Sequence, residues 1–102
     1  MTTPPGQTPE WHFRLYIAGE SPRSAAALAN LKAICEANFA GKYQIEVIDL
    51  LVNPKLATED QILAIPTLVR ILPAPARKVI GDLFDTKQTL IGLELRAAKE
   101  EP

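Results

Sequence analysis

The sequence predicts a single α/β domain with elements in the order βαβαββα, and three observations carry that prediction. Trp11, Phe13, Leu15 and Ile17 alternate along one face, the period of two that marks a strand. Ser21-Pro22 then opens a run in which Ala27, Leu28, Leu31, Ile34, Cys35 and Phe39 recur at helical spacing. Further on, Thr67–Leu72 and Arg77–Leu83 are two short strand candidates separated only by the stiff turn Pro73-Ala74-Pro75-Ala76.

Each element has a local reason. Ser21 is suited to N-cap the first helix, and Pro22 sits where its missing N–H costs nothing. Gly41 is placed to end that helix. Tyr43, Ile45 and Val47 begin a second alternating run. Ile48, Leu50 and Leu51 extend it with apolar character on both faces, the pattern of a central strand. Asn53-Pro54 repeats the cap-plus-proline signal and opens a short helix through about Leu63. Gly81 is a candidate bulge in the fourth strand, and Asp85 a candidate cap for a last helix running to about Lys99. Leu90-Ile91-Gly92-Leu93-Glu94-Leu95 fits that helix and also alternates partly as a strand. A glycine inside a helix costs about 1 kcal/mol relative to alanine, so local preference and helical assignment conflict there.

Composition bounds the function. The chain has 102 residues, enough for one core, and residues 11–99 are expected to form it. Residues 1–10, rich in threonine and proline, are expected to be a disordered tail without the basic start and apolar centre of a secretory signal. The net charge of −1 gives no general attraction to nucleic acid or to anionic membranes. The apolar runs are too short to span a bilayer. One cysteine cannot form an internal disulfide, which fits a reducing, cytoplasmic setting.

Candidate chemistry is sparse. Cys35 falls mid-helix on the apolar stripe, with no second cysteine and no basic neighbour in the local run, so a buried structural thiol is expected. His12 is the one histidine, which excludes a histidine metal cluster or a Ser-His-Asp arrangement. It is expected as a solvated residue on the polar face of the first strand. Glu59-Asp60 is an acidic pair, but neighbours in a helix do not face each other, so a solvated helix face is expected. Glycine-rich phosphate loops are absent. Arg70, Arg77 and Lys78 are candidates for a basic patch suited to a protein partner, lacking the aromatic interleaving of a nucleic-acid site. No cofactor is expected and no enzyme.

Two resemblances sharpen the reading. Ile65-Pro66-Thr67-Leu68 resembles the cis-proline segment of thioredoxin-fold proteins, and βαβαββα is the thioredoxin order. Thioredoxins place Cys-x-x-Cys where this chain has Glu20-Ser21-Pro22-Arg23, so a thiol-transfer enzyme is disfavoured and binding is expected. More specifically, the chain is similar to the KaiB family. The matching stretches include Leu15–Gly19, Val47–Pro54, Ile62–Leu68, Ile71–Leu83 and Leu90–Leu95, in register without gaps over roughly residues 11–96.

The resemblance implies a metamorphic, thioredoxin-like KaiB fold. Its resting form would be a tetramer (or dimer) ordered βαββααβ, with Thr67–Leu72 and Arg77–Leu83 helical and Leu90–Leu95 a strand. The βαβαββα monomer would be the binding form. Gly92, Glu94 and Pro66 would then be fold-switch positions, and Gly92→Ala would favour the helical monomer. The implied partners are a KaiC-type hexameric ATPase, the activator KaiA and a histidine kinase with a KaiB-like domain. The implied partner-binding residues are Arg70, Arg77, Lys78, Tyr43 and Glu46. Family members often carry basic residues where this chain has Ala26, Glu46 and Gln61, and Glu46 reverses the sign on an edge strand used near KaiA. The resemblance therefore also implies an alternative duty, stress adaptation without a clock role.

Overall fold

The computed structural model describes residues 10–83 and 85–93. They form β1 (Trp11–Ile17), α1 (Pro22–Phe39), β2 (Tyr43–Asp49), α2 (Lys55–Glu59), β3 (Thr67–Leu72), β4 (Arg77–Ile80) and α3 (Thr86–Leu93). This is the βαβαββα order. The expected tail, Met1–Pro9, Glu94 and the stretch towards Lys99 lie outside the described residues.

One four-stranded sheet has the order β2-β1-β3-β4. β1 runs parallel to β2, with Trp11 beside Tyr43 and Ile17 beside Asp49. β3 is antiparallel to both β1 and β4, so Tyr16 meets Thr67 and Thr67 meets Ile80. β2 is therefore an edge strand rather than the central one its apolar run suggested. The strand stops at Asp49, whose Oδ1 accepts the N–H of Leu51 at 2.9 Å, turning Leu51 and Val52 out to solvent.

The alternation of β1 divides the sheet into two faces. Phe13 and Leu15 join Ala27, Leu31, Ile34, Cys35 and Phe39 of α1 in the main core. Trp11 stacks on Phe39 with ring centroids 4.1 Å apart, a contact worth about 0.5–1.5 kcal/mol beyond the buried area. α1 starts as its sequence requires, with the Ser21 hydroxyl accepting the Ser24 N–H at 3.1 Å. The opposite face carries a smaller core of Tyr16, Ile62 and Val69.

Other boundaries differ from the local reading. α2 ends at Glu59 rather than near Leu63, because Gln61 has φ 58 and swings Ile62 into the second core. β4 ends at Ile80. Gly81, at φ 119, terminates it rather than bulging it, and its N–H donates to the Pro66 carbonyl at 2.9 Å. Leu83 has φ 64, costly for a branched side chain. The position is held because Leu83 lies in the main core and Asn30 donates to the neighbouring Asp82 carbonyl. Asp85 does cap α3, its Oδ1 accepting the Gln88 N–H at 3.0 Å.

Candidate functional site

The strand directions bring four connections to one end of the sheet: those after β1, β2 and β4, and the one leading into β3. They carry Leu51 (71% exposed), Val52 (72%), Leu63 (94%) and Ile65 (39%), and Ile80 (64%), the last residue of β4, lies at the same end. Of the large apolar side chains exposed among the described residues, only Val47 and Ile91 lie elsewhere. Apolar side chains held in water at one place mark an interaction surface.

The backbone beneath this rim is pinned. Asp49 Oδ1 also accepts the Gly19 N–H at 2.9 Å, tying the β1–α1 turn to the β2–α2 connection. Gly19 has φ 70, and a Cβ there would come within 2.8 Å of the Leu51 side chain, so glycine lets the two loops close on each other. Thr67 Oγ1 donates to the Ala64 carbonyl at 2.6 Å, and Lys78 Nζ donates to the carbonyls of Asp60 and Gln61 at 3.2 and 2.9 Å. Loops fixed this way present their side chains with little ordering cost on binding.

The turn after β1, expected from the sequence to hold Glu20-Ser21-Pro22-Arg23, contains no cysteine. Cys35 is buried in α1, and its thiol is pushed up to about 12, first by loss of hydration and then by Glu36. It is no nucleophile at neutral pH. Among the described residues no cluster of His, Cys, Asp and Glu could hold a metal ion.

The basic patch expected from sequence does not form. Arg70 is 5% exposed and donates to the Pro75 carbonyl at 2.8 Å, shaping the turn between β3 and β4. Arg77 pairs with Arg70 across the strands, whereas Lys78 pairs with Val69 and so lies on the other face of the sheet. Tyr43 and Glu46 belong to β2, at the opposite edge from β4. The Tyr43 hydroxyl donates to Glu36, and that bond, with burial, pushes its pKa up to about 12. Pro66 is buried beneath the rim and its bond to Ile65 is cis.

Glu46 is not a bare surface charge. It accepts from Arg14 Nε at 3.0 Å and lies 3.4 Å from His12 Nε2. His12 is half-buried rather than solvated. Asp60 is likewise no idle surface acid: it accepts the Tyr16 hydroxyl at 2.6 Å, with Arg14 at 3.8 Å. This network fastens the end of α2 to β1. Tyr16→Phe should lower stability by about 2 kcal/mol, the scale of a hydrogen bond to a charged group, as read by urea unfolding. An unchanged midpoint would mean that water replaces the bond at no cost.

The rim residues escaped the sequence reading because Leu50-Leu51-Val52 continued an apolar strand. One signal was available: Leu63-Ala64-Ile65 places apolar side chains directly before a proline, where a helix cannot carry them inward.

The KaiB domain model matches residues 14–95. Curated relatives include the circadian clock oscillator protein KaiB of Trichodesmium erythraeum, 57% identical over 83 residues that cover 81% of this chain and 80% of that protein. The corresponding protein of Gloeothece citriformis is 56% identical, covering 81% and 78%. Among solved structures, the N-terminal domain of Synechococcus elongatus SasA superposes with a TM-score of 0.72 at 19% identity, covering 100% of this chain and 96% of that one. Mitochondrial thioredoxin 3 from Saccharomyces cerevisiae gives 0.66 at 17% identity, covering 85% and 79%. These two show a shared thioredoxin-like fold.

Proposed function

This chain belongs to the KaiB family, and from that premise we propose that it is a non-enzymatic interaction module of circadian timing. In this reading it docks on a KaiC-type hexameric ATPase through the apolar end of its sheet and modulates the ring's phosphorylation and ATPase cycle. The observation that carries the proposal is the exposed set Leu51, Val52, Leu63 and Ile65 on loops pinned by Asp49, Thr67 and Lys78, with Ile80 at the end of β4 beside them. A contiguous exposed apolar patch marks an interaction site, and no other part of the described surface offers as many such side chains. Lys78 then acts by holding the Asp60–Ile65 loop in place. Arg70 supports the β3–β4 turn, and Arg77 lies beside it.

KaiA and a histidine kinase with a KaiB-like domain are the further partners this reading entails, the kinase as a competitor for the ring. The setting is the cytoplasm, in keeping with a lone, buried Cys35. No helix of the described residues is long and apolar enough to cross a membrane.

The test is complex formation with an ATP-loaded KaiC-type hexamer, followed over hours by native mass spectrometry. The chain should bind, and Leu63→Asp with Ile80→Asp should weaken binding at least about tenfold, the equivalent of about 1.4 kcal/mol. Equal binding by that variant would move the interface away from the rim. Absence of binding by the unaltered chain would overturn the ring assignment and bring forward a stress-adaptation role with another partner.

A further inference from the structure

The face of the sheet toward α1 is not fully covered. The register sets Leu15 of β1 beside Val47 of β2, and the odd-numbered residues of both strands share that face. α1 turns Leu31, Ile34 and Cys35 into the main core. Its flank toward β2 carries Ala25 and Leu28, and an alanine is too short to reach the strand. A hollow of about 300 Å³ remains, floored by Leu15, Ile17 and Val47 and closed at one end by the turn of Gly19 and Ser21. Val47 stays 42% exposed in it.

One polar group interrupts this apolar lining. Ser24 is 7% exposed and lines the hollow. Its backbone N–H is satisfied by Ser21 Oγ at 3.1 Å, whereas its own hydroxyl makes no hydrogen bond to any described residue. A hydroxyl so buried destabilises the fold until something bonds to it. An apolar hollow with one convergent polar group is the form that small-molecule sites take. Size and charge narrow the occupant. A cavity of about 150 Å³ takes a benzene ring, so twice that volume takes roughly ten non-hydrogen atoms. Glu20 lines the same hollow, and its carboxylate opposes an anion beside Ser24.

We propose that this hollow binds a small neutral apolar molecule bearing one hydrogen-bonding oxygen, of the class of medium-chain alcohols and aldehydes. The oxygen bonds to Ser24 Oγ. The hydrocarbon lies across Leu15, Ile17 and Val47 and points toward an adjoining hollow of about 340 Å³ that shares Leu28 and Val47. Lys32 lines that second hollow, so a fatty-acid anion would lie in the opposite sense, its head at Lys32 and the Ser24 hydroxyl still without a partner.

The test is a titration of the isotope-labelled full chain with octanol, followed through its amide shifts by NMR. It uses the chain alone and is independent of docking on an ATPase ring. Saturating shifts should centre on Ser24, Ala25, Leu28 and Val47, in the submillimolar range. Ser24→Ala removes only the partner of the ligand oxygen and suits a helix. It should weaken octanol binding at least about threefold, the scale of one hydrogen bond. Ala25→Leu, at an exposed helical position, fills the hollow and should abolish binding. Octanoate should bind at least about tenfold more weakly than octanol, because its charge would meet Glu20. No saturable shift, shifts centred on Leu63 and Ile65 instead, octanol binding unchanged in either variant, or octanoate binding as tightly as octanol would each overturn the proposal.

Discussion

Replacing Gly92 by alanine should destabilise the βαβαββα form, by about 1 kcal/mol, although helix propensity alone argues the reverse. Gly92 lies within α3, where alanine would gain about 1 kcal/mol in propensity. The gain is overridden by packing. A Cβ at Gly92 would stand 2.8 Å from Val79 Cγ2, and within 4.0 Å of the other two carbons of that side chain. Valine is stiff at χ1, and Val79 is packed against the main core, so the methyl group has little room to withdraw. Overpacking of this kind costs about 1–3 kcal/mol, more than the propensity returns. The resemblance implies that Gly92→Ala favours the helical monomer over the βαββααβ form, which is a separate equilibrium; against the unfolded chain the approach to Val79 decides. A double-mutant cycle in urea separates the two effects. Gly92→Ala should lower the midpoint in the natural background and raise it in a Val79→Ala background, where only the propensity gain survives. A raised midpoint in both would show that α3 slides away from β4 freely and that the contact exerts no control.

The second large effect is a loss of stability in alkali that passes through Cys35. Its thiol is held up at about 12 by burial and by Glu36, while in the unfolded chain it ionises near its ordinary value, about 8.5. Below that value both states keep the proton and folding is unaffected. Above it only the unfolded chain releases the proton, so stability falls as pH rises through the window up to about 12. The slope is about 1.4 kcal/mol per pH unit for one proton, and the full loss is of the order of 5 kcal/mol. Tyr43, held up by its bond to Glu36 and by burial, and Tyr16, held up chiefly by burial, add losses of the same sign at higher pH. Cys35→Ala should flatten the profile between about pH 8.5 and 10, where the tyrosines of the unfolded chain have barely begun to ionise. Urea unfolding of both chains at neutral pH and at successive alkaline values measures this. Parallel profiles would show that the thiol is not the titrating group. The same burial predicts that the native thiol resists alkylation at neutral pH, in contrast to a redox cysteine.

The features legible along the chain are local. Alternation in Trp11–Ile17 marks β1 to the residue, because a period of two is written in neighbouring side chains, and the short apolar run Thr67–Leu72 gives the bounds of β3. Ser21 and Asp85 announce the helix starts, because a cap bonds to an N–H three residues on. The spacing along α1 names its buried face, Cys35 included. The family resemblance was legible for the same reason, being carried by contiguous stretches.

The remaining features depend on which strand lies beside which. The order β2-β1-β3-β4 makes β2 an edge and gathers the apolar ends of four connections into one rim. The same order pairs Arg70 with Arg77 on one face and sends Lys78 to the other, dissolving a patch that looks continuous in the chain. Glu46 finds Arg14 and His12, and Asp60 finds Tyr16, across separations of 32 to 44 residues for their hydrogen bonds, which no local period encodes. Gly92 is a weak helix residue when read along the chain and a fitted one when read against Val79. In each case the deciding interaction joins segments distant in sequence, and its sign is set by the space and charge the partner brings.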